Sequence, residues 1–102
     1  MRDLRQPFMM PGATPGQDNG TTLPETVAHL RDVAVQVDGT FVGTVQIQGR
    51  LHPSLSFQNI GSALTQPGLV AITLPVSDLQ LVVTGYGSGT IVAWVAGFNA
   101  QI

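Results

Sequence analysis

From Asp32 onward the apolar residues recur at every second position, and that alternation limits what the chain can fold into. Val33, Val35 and Val37 point one way and Ala34, Gln36 and Asp38 the other. Phe41, Val45 and Ile47 alternate in the same manner with Thr44, Gln46 and Gln48. Successive side chains of a strand leave the backbone on opposite faces, so a period of two buries one face of a strand but scatters apolar groups around a helix. Residues 56–60, 69–74, 78–84 and 91–98 continue the series, with turn signals at Asp38-Gly39, Pro67-Gly68 and Pro75. Strands recurring at about ten-residue spacing with such punctuation predict an all-β protein. Residues 32–102 are expected to form an antiparallel β-sandwich, jelly-roll or immunoglobulin-like in topology. Asp38-Gly39 reads as a hairpin turn.

Residues 1–31 follow a different rule. Pro7, Pro11, Pro15 and Pro24 alternate with Gly12, Gly16 and Gly20, which breaks both helix and sheet. The expectation is an extended N-terminal arm, able to reach on the order of 100 Å at ~3.3 Å per residue. Its tip carries Phe8, Met9 and Met10 close to Arg2 and Arg5. These five are the candidate partner-binding residues of the arm; the plainer alternative is that Phe8 folds back on its own domain. Thr22-Leu23-Pro24-Glu25 has the form of a helix-start box, which allows a short helix over 23–30 with Leu23, Val27 and Leu30 on one face. The alternation of residues 26–30 equally allows an extended lead-in to the first strand.

Composition narrows the function. A chain of 102 residues makes one domain. It has no cysteine, hence no disulfide and no thiolate metal site. Only 10% of its residues are charged, against ~25% in ordinary soluble domains. All its cations are arginines, the net charge is −2 and the mean hydropathy is +0.25. So few charges suit a chain whose surface is covered by other chains, and assembly into a homo-oligomer or a larger body is expected. The mild acidity argues against nucleic acid as a partner. No apolar run approaches the ~20 residues of a membrane span, so no membrane is expected. The N-terminus lacks the apolar stretch of a signal peptide.

Gly85-Tyr86-Gly87-Ser88-Gly89-Thr90 looks at first like a phosphate loop. Such loops open a helix, whose N-terminal amides hold the phosphate. Here the following residues, Ile91-Val92-Ala93-Trp94-Val95, are β-branched and alternating, so the glycines are expected to bend a hairpin. His29 and His52 have no third ligand in view, and the nearest carboxylate in sequence, Asp32, makes a weak set; both read as turn or surface histidines. No serine sits in a nucleophile elbow, and the six acids are scattered, with Asp38 and Asp78 placed as turn-forming aspartates. Neither a calcium loop nor any other metal, cofactor or catalytic constellation is expected, and the chain does not read as an enzyme. Trp94 reads more readily as core than as exposed; turned outward it would stack on a sugar or anchor an interface. Tyr86, in a turn, either contacts a partner or packs over the glycines.

The segments Phe41-Val42-Gly43-Thr44-Val45-Gln46-Ile47-Gln48-Gly49, Val83-Thr84-Gly85-Tyr86-Gly87-Ser88-Gly89-Thr90 and Val92 to Gly97, with Phe57 and Pro67-Gly68 between them, resemble small β-sandwich structural proteins of tailed bacteriophages. The resemblance covers residues 32–102 and omits the arm. It departs from the usual pattern at Arg50-Leu51-His52-Pro53-Ser54, where that family often has a Ser-x-Asp-Gly turn, and at Gln80, where an arginine is frequent. The resemblance implies a capsid decoration (cement) protein on the outer surface of the virion. It also implies binding to the major capsid protein through a terminal arm, dimers or trimers, and no cofactor. Two alternatives stay open: a glycan-binding module of a fibre or tail tip using Trp94 or Tyr86, and a head–tail or tail component.

Overall fold

Valines set the architecture. The computed structural model describes residues 3–7 and 19–99, and for residues 3–7 and Asn99 the backbone alone. Its strands are β1 (Asp3–Pro7), β2 (Gly20–Thr21), β3 (Glu25–Thr26), β4 (Leu30–Asp38), β5 (Phe41–Arg50), β6 (Gln58–Asn59), β7 (Gly68–Ala71), β8 (Asp78–Gly89) and β9 (Val92–Asn99). Val33, Val35 and Val37 of β4, with Ala93 and Val95 of β9 beside them in the same sheet, face Val45 and Ile47 of β5 and Leu79, Leu81 and Val83 of β8 across one buried layer. All described buried hydrophobics belong to this cluster, and none is aromatic. β-branched side chains suit a pleated surface, and two such faces pack about 10 Å apart.

The strands form two antiparallel sheets. The first has the order β1-β9-β4-β7 and the second β2-β8-β5-β6, with β3 also paired to β8. β2 and β3 run in succession along one edge of β8, opposite Val82–Val83 and Asp78–Leu79 respectively. Taken as one interrupted strand, they leave four positions in each sheet. From β3 on, the chain changes sheet at every link except β5 to β6. This alternation is the double Greek key of a jelly roll, and it resolves the choice between the two expected topologies.

Both glycine signals act differently from the hairpins expected of them. Asp38-Gly39 leads from β4 in the first sheet to β5 in the second, and Gly89-Thr90 leads from β8 back to β9. These two corners lie against each other, joined by a hydrogen bond from Thr90 N to Thr40 O of 2.9 Å. A Cβ on Gly39 would overlap the Thr90 carbonyl oxygen, one on Gly89 would overlap that of Thr40, and both glycines have positive φ (95° and 90°). Upstream, Gly85 (φ 62°) opens a bulge in which β8 runs from Thr84 to Ser88 while β5 runs only from Thr44 to Val42.

The region expected to be an arm contributes strands to both sheets. Asp3–Pro7 lies antiparallel to β9, with Arg5 opposite Ala96 and Pro7 opposite Trp94. Residues 22–30 take the extended alternative and not the helix: β3 pairs with β8, and a turn at Ala28-His29 leads into β4. The reason is tertiary. The Thr22 hydroxyl, expected to cap a helix, accepts the amide of Leu81 at 2.9 Å, and Val27 is buried in the sandwich.

Candidate functional site

The outer faces of the two sheets and one loop end carry everything with functional potential. On the second sheet, register places polar residues side by side, and their side chains bond along each row. Gln80 Nε2 donates to Gln48 Oε1 at 2.8 Å, and Gln48 Nε2 donates to Asn59 Oδ1 at 2.8 Å. In the next row Thr26 Oγ1 donates to Asp78 Oδ1 (3.3 Å) and Arg50 Nε to Asp78 Oδ2 (2.9 Å). The Arg50 guanidinium also lies 4.3 Å from the centre of the Phe57 ring. Asp78 is 5% exposed. Burial raises its pKa, but hydrogen bonds from Arg50 and Ser77, the Arg50 charge and the Thr26 hydroxyl outweigh it and hold the carboxyl below its ordinary value. Its place at the start of a strand suggests a turn-forming aspartate; it is instead half of an ion pair between β5 and β8.

On the first sheet the middle of the outer face is largely apolar, with Asp38 and Arg31 at its two ends and Arg5 next to Ala96 in the register. Trp94 is paired with Gln36, which is paired with Leu69. The neighbouring row is Ala96, Ala34 and Ala71. Val92 lies opposite Asp38 at one end, and Phe98 opposite Arg31 at the other. Trp94 is 45% exposed and Leu69 71%, which corrects the expectation of a core tryptophan. The cause is parity: Ala93, Val95 and Gly97 take the inner positions of β9, so Val92, Trp94, Ala96 and Phe98 face outward. Beside Trp94 lies a depression of about 210 Å³ lined by Ala34, Gln36, Leu69 and Ala96.

Tyr86 is half-buried against the core, and its hydroxyl donates to the carbonyl of Gly89. It therefore packs over the glycines, with its own amide held by Asn19 Oδ1 at 2.8 Å. Of the arm candidates, Arg2, Phe8, Met9 and Met10 lie outside the described residues, and Arg5 is placed by its backbone in β1.

The loop end gathers residues 27–28, 30–33, Leu51 and 72–77 around a cleft of about 460 Å³. Val27, Val33, Ile72 and Val76 give it an apolar floor, and the exposed Leu51 and Leu74 stand at its rim. Hydrogen bonds from Val27 N to Ser77 O and from Ser77 N to Arg50 O lace the loops together. Asp32 has positive φ (52°) at a bulge in β4, a conformation that aspartate tolerates better than most residues.

Chemistry is sparse. Among the described residues no group of three or more His, Asp or Glu side chains is placed to hold a metal ion. His52 Nδ1 lies 2.8 Å from Ser54 Oγ and accepts the Ser54 amide at 3.1 Å. Both residues are exposed, and a bond of this kind closes a local turn. His29 is exposed in the turn before β4. No family model matches the chain, and no curated protein or solved structure matches it.

Proposed function

We propose that the chain is a non-enzymatic structural protein of a tailed-phage virion, which decorates and stabilises the outer surface of the capsid by binding the major capsid protein. The observation that carries the reading is the distribution of exposed apolar side chains over two separate surfaces. One is the outer face of the first sheet, with Leu69, Val92, Trp94 and Phe98; the other is the loop end, with Leu51, Leu55 and Leu74. Large exposed apolar patches mark places that other chains cover. Two of them, on a domain with few charges, suit a lattice component that touches its own kind on one side and the shell on the other. The virion assignment itself rests on the resemblance of the β5, β8 and β9 segments.

The test is co-sedimentation of the purified chain with shells assembled from the major capsid protein of the same genome. Saturable binding is expected, weakened by Leu51→Asp with Leu74→Asp at the loop end. Point variants at Phe8, Met9 and Met10 probe the arm, because β1 and β2 on either side belong to the sheets. Failure of the wild-type chain to bind any shell rejects the reading.

A second reading, a glycan-binding module, draws support from the exposed indole of Trp94 beside the Gln36 amide. Quenching or shifting of the single tryptophan's fluorescence by a sugar on a glycan panel would favour it; silence across the panel would remove it.

A further inference from the structure

We propose that the outer face of the first sheet binds a second copy of this chain, face to face, about a two-fold axis that runs across the strands between the Trp94 row and the alanine row.

Along β4 and β9 the outward pairs succeed one another as Asp38 with Val92, Gln36 with Trp94, Ala34 with Ala96, and Arg31 with Phe98. Leu69 and Ala71 of β7 extend the second and third rows on one side, and Pro7 and Arg5 of β1 hold the register positions at their other ends. Bulky and small side chains therefore form a ridge (Trp94, Leu69) and, beside it, a trough (Ala96, Ala34, Ala71). A two-fold axis between ridge and trough, lying in the plane of the interface, exchanges them. The ridge of each copy then enters the trough of the other, with Trp94 over Ala96 and Leu69 over Ala71. The depression beside Trp94, about 210 Å³, is the space such a side chain would fill. Isologous interfaces need this kind of self-complementarity, in which one patch carries both knob and hole.

Charge follows the same operation. Asp38 and Arg31 stand at opposite ends of the face, and the axis that exchanges ridge and trough also brings Asp38 of each copy over Arg31 of the other. Both are exposed, and one Asp38 oxygen is taken by the Gly39 amide, which leaves the other to face a partner. The same operation sets each Gln36 over Ala34 of the other copy, so the two Gln36 amides flank the axis, where an amide can donate to and accept from its like. An unrelated partner would have no reason to match the face in steps of both size and charge, whereas a second copy does so by symmetry. The inference is independent of what the chain decorates.

The experiment is sedimentation equilibrium of the full chain at up to about 0.5 mM, well above the Kd of a standard interface. The expected mass is twice 10.7 kDa. Arg31→Glu and Asp38→Arg, each alone, should weaken the dimer by about tenfold or more, and the two together should restore it. Ala71→Arg, at an exposed position, should block the trough and yield a monomer whose circular dichroism spectrum is unchanged. The tryptophan count is one, so emission should shift to the blue on dimerisation and report Trp94 alone. A wild-type monomer or trimer overturns the proposal. So does a dimer that ignores all these variants, or a charge swap that fails to rescue.

Discussion

The outer faces of the two sheets answer the same problem in opposite ways. On the second sheet, Gln80, Gln48 and Asn59 bond in a row, and Thr26, Asp78 and Arg50 bond in the next. Gln46 reaches the carbonyl of Ile47 at 2.9 Å. Each of these donors finds a partner within its own sheet, so that face is complete in water. The first sheet places Trp94, Leu69, Val92 and Phe98 in the equivalent positions, with Gln36 between the two largest of them and the charges of Asp38 and Arg31 at opposite ends. The same chain, with the same strand-forming residues beneath, is able to finish a face and leaves one unfinished. Exposed apolar side chains gather on the first sheet's outer face and at the loop end but are sparse on the second sheet's outer face, and that uneven distribution is what points to partners.

The largest effect expected from breaking this contrast lies at Asp78. Asp78→Ala strands the Arg50 guanidinium and takes away the acceptor of the Thr26 hydroxyl, while Ser77 keeps the Arg50 carbonyl; it should cost about 2–3 kcal/mol, less than the loss for a fully buried pair because Arg50 keeps some access to water. Urea melts would measure it. The same pair sets an acid dependence. Its folded pKa lies below the ordinary value, so the unfolded state takes up the proton first as pH falls. The stability that Asp78 contributes is present at neutral pH, declines as pH drops through the ordinary aspartate range, and is lost below the folded pKa. Glu25 works against this. Burial raises its pKa, so its ionised form costs stability at neutral pH, and protonation relieves that cost. Asp78→Asn should therefore flatten the acid side of the stability profile; an unchanged slope would show that the pair does not govern it.

A smaller effect is expected one row away. Gln48→Ala removes the bond from Gln80 and the bond to Asn59, whose groups then turn to water, so the loss should be about 0.5–1.5 kcal/mol. The shift in melting temperature should be the same at every protein concentration, because the proposed two-fold contact leaves this face uncovered.

The sheets were legible in the sequence where one parity alone is apolar. Val33, Val35 and Val37 alternate with Ala34, Gln36 and Asp38, so the buried face of β4 could be read directly. In β9 both parities are apolar, Ala93-Val95 on one and Val92-Trp94 on the other, and the preference of bulky aromatics for cores pointed the wrong way. Turn residues gave positions but not partners: Asp38-Gly39 and Gly89 bend the chain as expected, yet whether a bend pairs its flanking strands or carries the chain to the opposite sheet depends on pairing far along the chain. For the same reason the Arg50–Asp78 pair, 28 residues apart, was invisible until register put β5 against β8. Proline and glycine punctuation hid β1 and β2, because edge strands tolerate residues that central strands exclude.

The smallest effect on the isolated fold, and the sharpest test of the contrast, is expected at Leu69. Its side chain is 71% exposed on a strand at the edge of the first sheet, so Leu69→Thr removes little buried area and puts a strand-favouring β-branched residue there. At low concentration its melting temperature should match that of the wild-type chain, a difference within about 0.5 kcal/mol. As concentration rises the wild-type melting temperature should climb, since association with a second folded copy stabilises the native state by mass action. The variant's should climb less, because the ridge has lost one of its two bulky members. Melts of Leu69→Thr and Gln48→Ala over the same concentration series thus separate the faces: one variant changes the concentration dependence and not the intercept, the other the intercept and not the dependence. If Leu69→Thr lowers the melting temperature equally at all concentrations, the first sheet's outer face supports the monomer's own stability, and the distinction between a finished and an unfinished face fails.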